Sequence, residues 1–590
     1  MLLKVHTTIP EDASLAGQWN HLVTQTECPE IFYTYEWALA MARAHPAAAP
    51  LLVTAYEKEV LVGVAALVFD QAKTSLSFLS STTADYCDFL SPPEVRALFV
   101  KLVLHHLKSL GIKKLTLANL PVNSATVTAI SSVQAENGYR MLARPAYLCA
   151  RVMLHTPQQR QDVIELFEKK KMLRRQLKNL GRGSLVRLRH LRSGDDIRSA
   201  LPHFFKTHVA RFFATGRISN ITKSERRNFL LQLVDLLSEH GQMLLTQLMV
   251  GERAVAWNYG FEYSGGRFWY QPTFESELER YSPGLCLLTM MVEEACDNSS
   301  VKILDLGLGT EGYKDRFANA TRQTMHVTLT PSRLRHAESV LKYRTVEWIK
   351  RSPRLERKVR SGVASLIRLK KRIHRDGVVK TLAWCFKRVR ESLFHLDEVV
   401  FFHAAGLFGE GSPSAMVLRP VDLGILADAA MQHENDDETL TYLLRGAGRL
   451  QTEEHRGFAL LRDDGQPVHF CWVAPFEGFH LAELDIKLRS PSANAVLIFD
   501  CWTPVAFRGL AYYGSALSQL SHQLIKEGQK PWIFSATENK SSLVSLDKSP
   551  FRRGHSLVRR KILGWRTVQK NQQPTASIPA VQASASSQST

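Results

Sequence analysis

The 590-residue sequence predicts an α+β (mixed α/β) fold laid down three times. Three observations carry that expectation. Pairs of strand-like runs joined by a short polar turn occur three times. Each pair is followed by a further strand-like run, a helical stripe and another strand-like run. Each of those helices is preceded by Ser-Pro or Thr-Pro. Hairpin, strand, helix and strand in that order build a mixed sheet with a helix against it.

In the first copy LLVTAYEKEVLVGVAALVF (51–69) is the hairpin, turning at Glu57-Lys58-Glu59. YCDFL (86–90) reads as the next strand, SPPEVRALFVKLVLHHLKSLG as the helix and KKLTLANL as the last strand. Ser91 and Glu94 have the spacing of a capping box, so this helix start would carry its own carboxylate. That start would repel a phosphate. In the second copy MLLTQLMVGERAVAWNYGF (243–261) leads to RFWYQPTF, SPGLCLLTMMVEEACDN and VKILDLGL. Ser282 is its expected cap, with Pro283 and Gly284 in the first turn and no acid before Glu293.

In the third copy FALLRDDGQPVHFCWVA (458–474) leads to VLIFDCW, then TPVAFRGLAYYGSALSQLSHQLIKEG, then WIFSATEN. Leu510, Tyr513, Leu517, Leu520 and Leu524 recur at helical spacing. No acid occurs from Thr503 to Lys526, and Arg508-Gly509 sits in the turn. A helix N-terminus offers unpaired N–H groups and the positive end of the helix dipole, a seat for an anion. The third start is therefore the best candidate for a pyrophosphate, the second comes next and the first is excluded.

The net charge of +19 is concentrated: 341–390 holds seventeen Lys or Arg against Glu347, Glu356 and Asp376. Apolar residues recur there at helical spacing, so the segment reads as a basic amphipathic connector. A solvated linker face, docking to an anionic membrane surface and RNA binding all suit it. The eight cysteines are scattered without a CxxC pair, which suits a reducing cytoplasm and indicates no zinc ribbon. Nothing in MLLKVHTTIPEDAS reads as a signal peptide, and VLVGVAALVF (60–69) is too short to span a bilayer. The closing NQQPTASIPAVQASASSQST carries no charge and is expected to be disordered.

ILDLGLGTEG contains Gly307-x-Gly309-x-x-Gly312, but YKDRFANATRQT follows instead of an apolar helix, with no acid between Asp315 and Glu338. A dinucleotide loop needs both, so a strand end and turn is the better reading. His203 and His208 are five apart and do not share a helical face, which argues against a metal pair. His208 and Arg211, one turn apart, are a candidate acceptor-binding pair.

Arg508-Gly509 and the strand–turn–helix around it resemble the GNAT acyl-CoA acyltransferase superfamily. There Arg/Gln-x-x-Gly-x-Gly/Ala holds the CoA pyrophosphate between the fourth strand and the next helix. The resemblance covers about 400–566 and continues into TENKSSLVSLDKSPF, with Asn539 and Ser542 in place. Two glycine positions are taken by Ala511 and Tyr513, and the position of the family's usual general-acid tyrosine is Leu546. Residues 1–330 resemble the tandem, Fem-like branch and, within it, look like the acetyltransferase-like proteins associated with bacterial cellulose and exopolysaccharide synthesis. ADYCDFL, KKKMLRRQLKNLGRG (169–183), FFKTHVARF, YSPGLCLL and DLGLGTEGYKDRF carry that likeness.

These resemblances imply three GNAT-like units: 1–150 (structural), 151–330, a basic helical connector at 331–395, and a separate GNAT unit at 396–566 before a tail at 567–590. They imply acetyl-CoA as co-substrate, no metal, and Arg508, Gly509, Leu510, Ala511, Tyr512, Tyr513, Gly514, Asn539 and Ser542 around it. Asp500, ending the strand, would be the base and Tyr512 the proton donor. Pairing with Arg508 is the plainer role for Asp500. Ser282, Gly284, Asp305, Tyr313 and Lys314, with His208 and Arg211, would form a second or acceptor site. The expected acceptor is a sugar or amine of an envelope polysaccharide or its precursor, in a cytoplasmic protein peripheral to the inner membrane. An aminoacyl-tRNA-dependent transferase and a non-catalytic scaffold stay open as alternatives.

Overall fold

The structure, a computed structural model, describes residues 1–168, 171–309, 312–352, 394–404, 416–562 and 565–572, with single positions at 359, 373, 377 and 380. The chain divides into two compact units, Met1–Glu356 and Arg357–Thr590.

In the first unit the strands are β1 (Leu2–His6), β2 (Pro50–Glu57), β3 (Val60–Phe69), β4 (Ser75–Phe78), β5 (Lys114–Pro121) and β6 (Arg140–Met153). They continue as β7 (Val186–Leu191), β8 (Met243–Val250), β9 (Arg253–Tyr263), β10 (Gly266–Phe268), β11 (Gln271–Phe274), β12 (Ile303–Leu308) and β13 (Ala320–Thr330). They form one sheet in the order β1-β2-β3-β4-β5-β13-β6-β12-β10-β9-β8-β7, with β11 on β9. β4–β5 and β10–β12 are parallel, each pair bridged by a helix (Pro93–Ser109 or Pro283–Asp297).

The hairpins fall where the periodicity places them, and the turn residues Lys58 and Glu59 take positive φ (47° and 70°). YCDFL is not a strand. The strand preceding the first helix is Ser75–Phe78, and Tyr86 and Phe89 are buried from a loop. The strand propensity of Tyr86 and Phe89 is outweighed there by the burial of their two rings. The expected boundary at 150/151 cuts β6, which pairs with both β12 and β13, while β13 pairs back onto β5. Both halves therefore share one continuous sheet.

The connector's first part is the helix Arg333–Lys350, which belongs to the first unit and sets Tyr343 under Arg144 (5.8 Å). The bulk of the basic stretch lies outside the described residues. Among the described residues no helix is long and apolar enough to cross a membrane.

The second unit holds β14 (Phe394–Ala404), β15 (Val417–Pro420), β16 (Arg456–Leu461), β17 (Pro467–Pro475), β18 (His480–Leu481), β19 (Ile486–Lys487), β20 (Ala495–Trp502), β21 (Lys530–Ala536), β22 (Phe551–Ile562) and β23 (Trp565–Gln572). Its main sheet runs β15-β16-β17-β20-β21-β14-β22-β23, with β20 and β21 parallel. β23 pairs with β22, so the expected tail from 567 begins as a strand and only 573–590 lies outside the described residues.

Both faces of this sheet are covered, as successive strand residues point to opposite sides. Ile498 packs with Phe402, Phe458 and the helix Tyr512–Lys526, whereas Leu497 joins Phe401 and Phe476 on the other face. Leu517, Leu520 and Leu524 are buried on that helix, about 1.5–3 kcal/mol each. Leu510 precedes the helix and is 56% exposed, so it is not part of the stripe.

Thus hairpin, strand, helix and parallel strand recur three times: β2-β3-β4 to β5, β8-β9-β10 to β12, and β16-β17-β20 to β21.

Candidate functional site

β20 and β21 are paired only from Ala495↔Lys530 to Ile498↔Ile533. Beyond that rung Phe499–Trp502 and Phe534–Ala536 have no mutual pairing, and the strands part. On its other side β20 carries a bulge: Phe470 faces Trp502 but Trp472 faces Phe499, so Asp500 and Cys501 together oppose Cys471. Asp500 takes φ 44°. A bulge re-aims side chains that a regular strand would alternate. The Tyr442 hydroxyl holds it by donating to the Asp500 carbonyl (2.9 Å) and accepting from Trp472 Nε1 (3.0 Å).

Where the strands part lies a cavity of about 1310 Å³. Of the expected donor-site residues its wall takes Arg508, Gly509, Tyr513, Asn539 and Ser542, together with Asp500. Leu510, Ala511, Tyr512 and Gly514 are not part of that wall. The helix behind it starts at Tyr512 after Ala511, whose φ of 60° is left-handed, with no side-chain cap and no acid in the first turn. A β-carbon there is strained, which is why the glycine expected at that position is the easier residue.

Arg508 is aimed by two contacts: its Nε donates to the Thr503 carbonyl (3.2 Å) and its guanidinium lies 5.0 Å from the Trp502 ring centre. It does not pair with Asp500. The Asp500 partner is Arg449, at 2.5 Å, which also covers Trp472 and Phe499. Arg449 is separated from the strand of Asp500 by four others in sequence, and nothing in its helix marks it as a site residue.

Tyr512 packs edge-on to Phe507 (6.1 Å between centres), whereas Tyr513 stands in the cavity wall with its hydroxyl 3.4 Å from Ser542 Oγ. Burial raises the Tyr513 phenol well above its ordinary value. Asn539 caps the helix Lys540–Asp547 by accepting from Ser542 N–H. Leu546 is fully buried, so the usual tyrosine position faces the core.

The same wall holds residues absent from the expected set. His469 and Cys501 line it, and Cys471 lies buried behind them. The Cys501 S–H donates to Cys471 Sγ (3.6 Å); this contact, with His469, holds the Cys471 thiol below its ordinary value despite burial. The signal for two of them was His-x-Cys on a strand, which places both side chains on one face. The third comes from another strand and had no local signal.

The second-site candidates belong to the first unit, where Arg211 and Gly284 both meet Phe274. His208 is buried, 2.9 Å from Ser219 Oγ and stacked on Phe212 (4.7 Å). Arg211 donates to the Pro272 carbonyl (2.9 Å) and covers Phe274. Ser282, at φ 53°, does not cap its helix; its hydroxyl accepts from Gln176 Nε2 (3.3 Å). A β-carbon on Gly284 would stand 3.1 Å from the Phe274 ring, so tight packing explains that glycine.

Asp305 accepts from Arg151 Nε (2.7 Å), the Tyr86 hydroxyl (2.9 Å) and Gly307 N–H (2.9 Å) in a buried charge network. Tyr313 accepts from Trp269 Nε1 (3.3 Å), and Lys314 donates to the Leu308 carbonyl (3.2 Å). After Gly307 and Gly309 the chain makes a 3-10 turn at Lys314–Arg316 and enters β13, so no dinucleotide helix follows. The first helix start lacks its expected capping box as well: Ser91 Oγ accepts from Arg96 Nε (2.7 Å), and Pro92 stands at the cap.

His208 yields a stability prediction. Burial first, then Arg211 and Arg226, holds its imidazole down to about 3. The unfolded chain takes the proton near 6.5 and the folded chain only near 3. Its contribution is therefore intact above pH 6.5 and lost as pH falls from 6.5 toward 3, by up to about 1.4 kcal/mol per pH unit. Denaturant unfolding of the intact chain and of His208→Asn from pH 7.5 to 5 should show a flatter profile for the variant.

In the second unit a strand parts from its parallel neighbour and opens a cavity at a helix start. Residues 168–315 match the family model of the acetyltransferase (GNAT) domain. The match falls on the second half of the first unit, whereas the large cavity lies in the second unit.

Among solved structures the chain is similar to FemX, at 9% identity over 55% of this chain and 97% of that one, with a TM-score of 0.38. It is similar to L-PGS from Bacillus licheniformis, at 10% identity over 56% and 95%, TM-score 0.36. A tandem GNAT protein from the clavulanic acid biosynthesis pathway matches at 12% identity over 55% and 98%, TM-score 0.33. No curated protein matches in sequence.

Proposed function

We propose that the chain is an acyl-CoA-dependent acyltransferase whose working donor site is the cavity of the second unit. The observation that carries this reading is an uncapped helix start, free of acids and preceded by an oriented Arg508, at the mouth of the parted strands β20 and β21. The N–H groups of the first turn and Arg508 would take the pyrophosphate, and the gap would take the pantetheine arm.

In the proposed reaction an acceptor amine or hydroxyl attacks the thioester carbonyl carbon. The C–S bond breaks and the sulfur leaves with a proton. Tyr513, in the cavity wall beside Ser542, replaces Tyr512 as the hydroxyl placed to supply it. Asp500 faces the same cavity and, fixed through its Oδ2 by Arg449, would take the acceptor's proton as the new bond to the carbonyl carbon forms. An acetyl group, and a sugar or amine of an envelope polysaccharide or its precursor, remain the proposed donor group and acceptor. The three-unit division, with the first unit structural, is proposed with them, as is membrane docking through 341–390.

Calorimetric titration of acetyl-CoA and coenzyme A into the intact chain tests the reading. One equivalent should bind, and Gly284→Glu at the second helix start should leave that binding unchanged. Binding lost in a Gly284→Glu chain whose unfolding transition matches the parent's would move the donor site to the first unit. Absence of binding, with nucleic acid retained at low salt and shed steeply as salt rises, would replace this reading with an aminoacyl-tRNA-dependent one.

A further inference from the structure

His469 and Cys471 are two apart on β17, so both side chains fall on one face of the strand. Cys501 comes from β20, where the bulge sets Asp500 and Cys501 against Cys471. The ligand atoms of the three all lie within 4.8 Å of one another, the one such group of His, Cys, Asp or Glu found among the described residues. The two sulfurs are 3.6 Å apart. Two thiolates on a single tetrahedral zinc, each at about 2.3 Å, stand about 3.8 Å apart.

The histidine is prepared in the same sense. It is 1% exposed, and its Nδ1 lies 2.7 Å from Thr503 Oγ1, while its Nε2 is buried without any hydrogen-bond partner. A buried ring nitrogen is costly to leave unmatched. A metal ligand whose other nitrogen is held by an outer partner has this arrangement.

We propose that His469 Nε2, Cys471 Sγ and Cys501 Sγ bind one divalent cation of the zinc class, with the fourth position open toward the cavity that His469 and Cys501 line. Two thiolates and an imidazole select zinc over magnesium or calcium, which take oxygen ligands. Three protein ligands and one open position is the arrangement of reactive rather than purely structural zinc sites. The cation would face the cavity assigned above to the acyl donor, where it can polarise a carbonyl or hold an acceptor oxygen. Its binding does not depend on that assignment. It reverses the expectation of a metal-free protein, drawn above from the scattered cysteines, the His203–His208 spacing and the resemblance.

The intact chain, reduced and stripped of metal with a chelator, is titrated with Zn²⁺ alone and in parallel with Co²⁺ alone. One equivalent should bind, and cobalt should develop thiolate-to-metal charge-transfer absorption. Cys471→Ser, Cys501→Ser and His469→Gln should each lose the stoichiometric metal. Thr503→Val, which leaves all three ligands in place, should weaken binding about ten- to a hundredfold. It keeps the test decisive if a buried substitution unfolds the unit.

No stoichiometric binding by the intact reduced chain overturns the proposal. So does an unchanged equivalent in both cysteine variants, or unchanged affinity in Thr503→Val. Metal bound by a chain that binds no coenzyme A leaves this site standing and removes only the donor reading.

Discussion

Arg508→Glu in the intact chain is expected to weaken coenzyme A binding by about a hundredfold or more. A hydrogen bond from a guanidinium to a phosphate contributes about 1.5–3 kcal/mol, and reversing the charge adds repulsion at the same point. With each 1.4 kcal/mol worth a factor of ten, loss of the contact and the new repulsion together reach that size. Arg508→Lys should lose less, since it keeps the charge but not the fork that the Thr503 carbonyl and the Trp502 ring orient. The fold should tolerate both changes, because Arg508 lies at the rim of the cavity and forms no buried ion pair. Calorimetry at two salt concentrations is the measurement. Equal affinity of Arg508→Glu and the parent chain would place the pyrophosphate elsewhere.

Arg322→Met is expected to destabilise the first unit by about 3–5 kcal/mol, the usual consequence of stranding one buried charge. Arg322 on β13 meets Glu30, 292 positions earlier in the chain, and both are buried. Arg151 is the second cation on Glu30 (3.3 Å), and Tyr86 lies under both guanidinium groups.

Burial already raises the Glu30 carboxyl above its ordinary value, against the pull of Arg322 and Arg151. Removing Arg322 should raise it further. A carboxyl raised in the folded state contributes stability that is full below its unfolded value and is lost as pH rises through the folded one. The deficit of the variant should therefore be largest near neutrality and shrink toward pH 4.5. Denaturant unfolding across that range reads it directly, and Glu30→Gln combined with Arg322→Met should recover part of the loss. A variant as stable as the parent at pH 7 would show that this network carries little of the packing between β13 and the N-terminal segment.

The hairpins, the three helix-bridged strand pairs and the acid-free helix start after Arg508 were legible because each is local. Alternation, helical spacing and turn residues act over a few positions, and Leu517, Leu520 and Leu524 are buried where their spacing requires. YCDFL was misread for the same reason in reverse: its strand-forming residues are held in a loop by long-range burial. The capping box at Ser91 failed because Arg96 claims the serine hydroxyl, an interaction that spacing does not reveal.

The sequence by itself determined the fold class and the repeated order of elements. The tertiary structure decided which side chains share a wall. β6 and β13 cross between the halves of the first unit, so no boundary near 150 exists. The cavity wall takes Tyr513 and not Tyr512, and Arg449, at the end of the helix Asp437–Arg449, pairs with Asp500. His469, Cys471 and Cys501 come together only because a one-residue bulge turns one strand against its neighbour. Pairing between strands thirty residues apart is set by register and bulge geometry, which no window of local sequence contains.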